Sequence, residues 1–227
     1  MSDAGFAVER LGEDALLLRL GDAIDEATNA RVHALAARVA ASRPPWLRDL
    51  VPAYASLALF VDADAFADDV DPLADAARWL DGMPQQADIA IDVGASRIVE
   101  IPVRYGGEDG PDLDAVAAHA GLSAQDVVAL HCAGEYRVAM LGFAPGFPYL
   151  IGMDPRLSMP RLPTPRARVA AGSVGIGGAQ TGIYPRPGPG GWRLIGRTAM
   201  VLFDAARDPP AALAPGDRVR FVAVASP

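Results

Sequence analysis

Lysine is absent from this chain of 227 residues, and all 20 of its basic residues are arginine. The chain therefore cannot supply the lysine of a phosphate-binding P-loop, a Schiff-base lysine or a biotinylated lysine. Its one cysteine, Cys132, excludes an internal disulfide and agrees with a reducing compartment. No spacing of histidine, cysteine and acidic residues resembles a metal site, so we expect no metal.

A long apolar run and an apolar leader after a basic start are also missing. Acidic residues appear early, so we expect no signal peptide. The longest uncharged stretch, residues 138–153, is shorter than a spanning helix of about 20 residues and contains two prolines. The formal charge of -8 disfavours general nucleic-acid binding. We expect a cytoplasmic protein that binds neither membrane nor nucleic acid.

Residues 1–88 predict a small α/β domain. Apolar runs at residues 15–20 and 56–61 are typical of strands, and residues 26–41 show helical spacing. Asp71 followed by proline predicts the start of a second helix. The polar stretch at residues 83–96 predicts a linker, where limited proteolysis should cut first.

Residues 97–227 predict a second domain that is mainly β. It begins with a strand at residues 98–103, followed by two short helices capped by Asp112 and Ser123. Short strands separated by glycine and proline then suggest an antiparallel barrel or sandwich, and they are predicted at residues 136–141, 192–195, 200–203 and 219–224. The predicted fold class is α+β.

The glycine-rich segment at residues 172–178 admits two interpretations. It could cradle phosphate, but it lacks the ending of a P-loop and does not clearly lie between a strand and a helix. Tight turns or close backbone approach in a β domain are favoured. Ser173 is not in a nucleophile elbow, so a hydrolase serine is not expected.

The candidate catalytic residue is His131, the best placed titratable side chain before the Gly/Pro-rich region. A structural histidine is an equal alternative. Aromatic residues downstream could form barrel core or the apolar wall of a cleft with polar tips. On the cleft interpretation, the predicted substrate-binding residues are Phe147, Gln180, Thr181, Tyr184, Arg186, Trp192 and Arg197.

Positive charge is concentrated in residues 154–199, which contain seven arginines and one aspartate, a net charge of +6. Such a cluster attracts anions despite the acidic total. Arg186 and Arg197 are predicted to bind a substrate carboxylate or phosphate. A partner face is predicted for Arg156, Arg161, Arg166 and Arg168, and pairing with the chain's own carboxylates is the alternative.

Residues 141–198 read LGFAPGFPYLIGMDPRLSMPRLPTPRARVAAGSVGIGGAQTGIYPRPGPGGWRLIGRT. This string resembles the signature of the allophanate hydrolase subunit 1 family. That family includes the B subunit of 5-oxoprolinase, the sporulation kinase inhibitor KipI and half of the carboxyltransferase domain of urea carboxylase. IPVRYGGEDGPDLDAVA at residues 101–117 and LHCAGEYRVAMLGF at residues 130–143 extend the resemblance in order and spacing.

The resemblance implies a small α/β N-terminal domain at residues 1–88 and a cyclophilin-like β-barrel at residues 97–227. It further implies one component of an ATP-dependent 5-oxoprolinase that opens 5-oxoproline to glutamate. We expect the isolated chain to be inactive, because it shows no catalytic triad, metal cluster or phosphate-binding lysine. ATP is then a cosubstrate, with no prosthetic group. The implied partners are the A subunit of 5-oxoprolinase and its C subunit, which is similar to allophanate hydrolase subunit 2.

The same resemblance leaves two other functions open. One is inhibition of a sensor histidine kinase, as in KipI. The other is a carboxyltransferase half that works with a biotin carrier, a carrier that this lysine-free chain cannot itself be.

Overall fold

The computed structural model describes residues 5–83 and 97–225. The chain divides into two compact units, residues 1–95 and 96–227. Apart from residue 83, the predicted linker lies outside the described residues. The domain boundaries expected at residues 88 and 97 therefore stay predictions.

The first unit is a four-stranded antiparallel sheet with two helices packed on it. The strand order is β1-β2-β4-β3. Its elements are β1 (Ala7–Leu11), β2 (Ala15–Arg19), α1 (Glu26–Ser42), β3 (Leu47–Pro52), β4 (Ser56–Val61) and α2 (Pro72–Asp81). The central strands β2 and β4 bury leucines from one face against both helices, which gives this unit its own core.

Local capping explains both helices of this unit. The Asp25 side chain accepts a hydrogen bond from the Thr28 amide at 2.8 Å, and Arg43 ends α1 in a left-handed conformation. Asp71 caps α2 as predicted, with Pro72 in the first turn. The edge strands β1 and β3 were not predicted, because four of the five residues of β1 and three of the six of β3 are exposed, and neither strand has an apolar pattern.

The second unit contains a closed seven-stranded barrel with the strand order β10-β7-β6-β13-β5-β12-β9. The last strand, β13, pairs in parallel with β5, while the other barrel pairs are antiparallel. Its elements are β5 (Ile98–Tyr105), α3 (Leu113–Ala120), α4 (Ala124–Ala133), β6 (Tyr136–Leu141), β7 (Pro148–Ile151), β8 (Arg166–Val169), β9 (Ser173–Gly177), β10 (Gln180–Ile183), β11 (Gly188–Gly190), β12 (Arg193–Arg197) and β13 (Arg218–Ala223). Strands β8 and β11 form a separate two-stranded ribbon. The expected α+β class with a C-terminal barrel is confirmed.

Three predictions in this unit have different outcomes. The predicted start of α4 is confirmed, because Ser123 and Asp126 form a reciprocal capping box. Asp112 precedes α3 as predicted, but its predicted side-chain cap is wrong, because the carboxylate makes no cap bond and accepts instead from the Leu194 amide at 2.7 Å. The predicted strand at residues 200–203 is also wrong: only one isolated bridge, Phe203 to Ala211, forms there.

Candidate functional site

Several glycines lie on the outer face of strands β9 and β10. Side chains alternate along a strand, and Val174 and Ile176 lie in the barrel core. Gly175 and Gly177 therefore face outward. A Cβ on Gly177 would lie 2.6 Å from the indole of Trp192, so only glycine lets that ring lie flat on the sheet. Gly182 on β10 serves in the same way, since a Cβ there would lie 3.0 Å from Trp192.

An aromatic cluster packs on these glycines, with Phe147 at its centre. The Phe147 ring lies 5.2 Å from Tyr184 and 5.6 Å from Trp192, both edge to face, and 4.9 Å from Tyr149. Phe147, Tyr184 and Trp192 are buried in a core cluster separate from the barrel core. The cluster is buried and yet lies on the outer face of the barrel. The two interpretations of these aromatic residues, core and cleft wall, therefore apply to the same layer.

Phe143 forms an exposed rim on this cluster. Its ring is 5.4 Å from Phe147 and 6.3 Å from Tyr184, yet the residue is 64% exposed. Its φ is +64°, a left-handed conformation that costs a non-glycine residue energy. Strained residues of this kind cluster at functional sites.

Gln180 leaves an unsatisfied hydrogen-bond donor beside Trp192. The residue is 7% exposed, and its Nε2 finds no hydrogen-bond partner in the described part of the chain. It pairs directly with Gly177 across the sheet, so its side chain projects to the same outer face as the indole above Gly177. A buried donor without a partner costs about 1–3 kcal/mol, which marks a place where an acceptor is expected.

Arg161 places a positive charge on the same cluster. Its guanidinium carbon lies 5.6 Å from the centroid of the Trp192 ring, within the range of a cation–π contact. Burial raises the pKa of Tyr149 and of Tyr184, and the charge of Arg161 opposes both rises. The guanidinium is thus close to both phenols.

His131 lies on the other side of the sheet, inside the barrel core. It is 0% exposed and stands against the ring of Phe221, at 4.3 Å between centroids. Its Nδ1 is 2.8 Å from the Tyr105 hydroxyl, and its Nε2 is 3.0 Å from the Thr181 hydroxyl. His131 therefore does not face the predicted substrate-binding residue Tyr184, because strand β10 separates the inner and outer faces.

The hydrogen bonds around His131 assign its tautomer. Thr181 donates its hydroxyl proton to the Gly175 carbonyl at 3.1 Å, so its oxygen accepts from His131 Nε2–H. His131 Nδ1 then accepts from the Tyr105 hydroxyl, whose oxygen accepts from the Cys132 thiol at 3.6 Å. Burial lowers the pKa of His131 to about 3, which keeps the ring neutral. A catalytic role for His131 stays a prediction, and a fully buried ring with both nitrogens hydrogen-bonded favours the structural alternative.

The remaining predicted arginines divide into bonded and unbonded groups. Arg197 donates to the Ala171 carbonyl at 3.0 Å and lies 3.8 Å from an Asp109 carboxylate oxygen. Arg186 is exposed and has no carboxylate partner among residues 5–83 and 97–225. Within those ranges, neither residue makes a ring or charge contact with the aromatic cluster.

The four arginines predicted to face a partner do not form one free surface. Arg166 donates to the Asp112 carboxylate at 2.8 Å, and Arg156 binds Asp154 at 2.6 Å, so the chain's own carboxylates engage both. Arg161 lies on Trp192 instead. Arg168 is exposed on β8, without a carboxylate partner within the described ranges. A docking role for this set stays a prediction.

The glycine-rich segment at residues 172–178 is a barrel strand, not a phosphate loop. Strand β9 occupies Ser173–Gly177, and each of its residues is buried. The interpretation as close backbone approach is confirmed by the contact between Gly177 and Trp192. In the part of the chain that the structure describes, no group of metal-ligating side chains is assembled. No helix within that part is long and apolar enough to span a membrane.

Sequence reasoning placed Arg161 on a partner face and did not include Phe143 among the site residues. Both contact the cluster that holds Phe147, Tyr184 and Trp192. Proximity in sequence offered one usable signal for Phe143, which stands four residues before Phe147. Nothing in the sequence linked Arg161 to Trp192, because the contact spans 31 residues and depends on the closed barrel.

Comparison with known proteins assigns the family. The model for the carboxyltransferase domain, subdomains C and D, matches residues 6–213. The 5-oxoprolinase B subunit of Bacillus subtilis is 44% identical over 225 residues, covering 96% of this chain and 93% of that protein.

Two solved structures share the fold. TTHA0988 matches at 45% identity with a TM-score of 0.79 over 94% of this chain, which spans 40% of that longer chain. Urea amidolyase of Kluyveromyces lactis matches at 22% identity and a TM-score of 0.75, covering 99% of this chain and 15% of that one, and it supports the fold alone. By the match to the subdomain model and to a curated relative over nearly its whole length, this chain belongs to the family of 5-oxoprolinase B subunits among the carboxyltransferase-domain proteins.

Proposed function

We propose that this chain is the B subunit of an ATP-dependent 5-oxoprolinase, which opens the lactam ring of 5-oxoproline to give glutamate. The observation that carries the proposal is the 44% identity to a protein named as a 5-oxoprolinase B subunit, across 96% of this chain. A name of that kind implies further subunits. We infer that these are the A subunit of 5-oxoprolinase and a C subunit similar to allophanate hydrolase subunit 2.

The outer face of the barrel supports a role as part of a shared site. It combines an exposed strained aromatic residue, Phe143, with the unsatisfied Gln180 amide. The candidate catalytic side chain, His131, is enclosed on the inner face of the sheet and cannot reach a ligand there. We infer that the partner proteins supply the reacting groups and that this chain is inactive alone.

ATP enters this proposal as a cosubstrate. An amide carbonyl is a poor electrophile, so phosphoryl transfer from ATP to the lactam oxygen, with release of ADP, would activate it. Water then adds to the activated carbon, the C–N bond breaks, and phosphate leaves as glutamate forms. No residue of this chain is assigned to bind the triphosphate.

Reconstitution with omission of single components tests the proposal. The three purified proteins are mixed with ATP and 5-oxoproline, and glutamate and ADP are measured; each protein and ATP are then left out in turn. We expect glutamate only from the full set. Glutamate formed by this chain alone would contradict the inference that it is inactive alone. No glutamate from the full set would contradict the proposed function.

A second candidate is carboxyl transfer with a biotin carrier, and the name of the matched family model favours it. The same preparation, supplied with a carboxylated biotin carrier and urea or another amide acceptor, separates the two. Carboxyl transfer without glutamate release would support the second candidate. Inhibition of a histidine kinase stays a hypothesis from the family resemblance.

A further inference from the structure

We propose that the outer face of the barrel holds a carboxylate-bearing lactam beside Trp192, with Arg161 binding the carboxylate and Gln180 donating to the ring carbonyl. This inference rests on the proposed function and names the substrate of the site. It reassigns Arg161 from a partner face to the ligand.

The first support is that the guanidinium of Arg161 is available. Arg166 is engaged by Asp112 and Arg193 donates to the Pro160 carbonyl, whereas Arg161 has no carboxylate partner within residues 5–83 and 97–225. Its guanidinium lies instead over the face of Trp192. A guanidinium held on an indole keeps its N–H fork free for a planar carboxylate.

The second, independent support is that the side-chain amide of Gln180 has a hydrogen-bond donor without an acceptor. Its Nε2 is buried and has no hydrogen-bond partner among the described residues. Gln180 lies opposite Gly177, and Gly177 lies beneath the indole, so donor and cation flank one ring. A ligand with a carbonyl and a carboxylate on a small apolar body satisfies both groups at once.

The side chains of the site favour one of the two organic substrates of the proposed reaction, 5-oxoproline over ATP. 5-Oxoproline has one carboxylate, one amide carbonyl and a five-membered ring with methylene groups. The triphosphate of ATP needs several cations or a cradle of backbone amides. One free guanidinium beside aromatic rings therefore fits the lactam and not the triphosphate.

The test uses the assembled complex and three variants. Arg161→Gln removes the charge, and Gln180→Met removes the donor with little change of shape. Arg220→Gln is the matched control, since Arg220 is an exposed arginine on β13, a strand that does not neighbour β9 or β10. The readouts are KM and kcat for 5-oxoproline, and inhibition by 2-pyrrolidinone, the same lactam without a carboxylate.

We expect Arg161→Gln to raise the KM for 5-oxoproline at least tenfold, with inhibition by 2-pyrrolidinone unchanged. Gln180→Met should weaken both ligands, and Arg220→Gln should match the wild type. A KM of Arg161→Gln within twofold of the wild-type value would overturn the proposed lactam site. Glutamate formation by the wild-type complex would still support the proposed function. Failure of Arg161→Gln to assemble would also overturn it, in favour of partner docking.

If the wild-type complex gives no glutamate, the proposed function fails and binding is measured directly. The chain is labelled with 5-fluorotryptophan, and fluorine NMR follows Trp192 as 5-oxoproline is added to the complex. A saturable shift in the wild type that Arg161→Gln abolishes supports the lactam site. Absence of that shift overturns it.

Discussion

Acid should destabilise the barrel through His131, and the effect can be separated from other titrations. The imidazole is fully buried, and its pKa falls from 6.5 to about 3 because burial disfavours the charged ring. Unfolding exposes it to water. Between about pH 6.5 and pH 3 the unfolded chain therefore binds a proton that the native chain does not.

The sign and size follow from this difference in bound protons. Stability rises with pH wherever the unfolded state holds more protons, so it falls as the pH drops below 6.5. Each full unit of pH contributes about 1.4 kcal/mol for one group. Integrated from pH 6.5 to pH 4.5, with half protonation at the start, His131 accounts for a loss of about 2 kcal/mol.

The assay compares the wild type with His131→Gln by urea unfolding at several pH values. Glutamine keeps an amide N–H that can reach Thr181 and does not titrate. Fluorine NMR of 5-fluorotryptophan reports the barrel through Trp192, separately from Trp46 and Trp79 of the first unit. His119→Gln is the matched control, because His119 is exposed on α3.

We expect the wild type to be more stable at neutral pH, and its advantage over His131→Gln to shrink by about 2 kcal/mol between pH 6.5 and pH 4.5. His119→Gln should follow the wild type across the range. A difference between wild type and His131→Gln that is constant with pH would refute the reasoning. The buried imidazole would then accept a proton in the native state.

Three further predictions concern stability measured by urea unfolding. Asp112→Ala should cost about 2–4 kcal/mol, because it leaves the buried Leu194 amide without its acceptor and removes the carboxylate partner of Arg166; a loss below about 1 kcal/mol would contradict this. Phe143→Gly should be more stable than Phe143→Ala by about 1 kcal/mol, because φ is +64° there, and equal stability would argue against strain. Ser123→Ala should cost about 1 kcal/mol while Ser123→Asp restores the cap, and equal losses in both variants would count against the capping box.

Elements with local signals were predictable. The starts of α2 and α4 follow from Asp71 and Ser123, because a cap needs only its own side chain and the next three amides. Strand β4 was predicted at its observed bounds, because it is a continuous apolar run in the centre of the sheet. The edge strands β1 and β3 were not, since each has one neighbour, buries none of its residues fully and therefore carries little apolar pattern.

The aromatic members of the candidate site were predictable from the sequence, but its arrangement was not. Phe147, Tyr184 and Trp192 do form one cluster, next to β7, β10 and β12. The sequence did not show which of the side chains face into the barrel and which face out. Thr181 and Gln180 are neighbours in sequence, yet one binds His131 inside the barrel and the other projects outside, because successive side chains of a strand alternate.

By itself the sequence determined the family, the α+β class, the caps of α2 and α4 and the absence of lysine, all of which depend on residue identity or on neighbours within a few positions. Only the tertiary structure decided that Asp112 serves Leu194 and Arg166, that His131 is a neutral buried ring, and that Arg161 rests on Trp192. The contacts of Asp112 and Arg161 join residues between 31 and 82 positions apart, and His131 packs on Phe221 from 90 positions away. Barrel closure and strand register bring them together, and no local pattern encodes either.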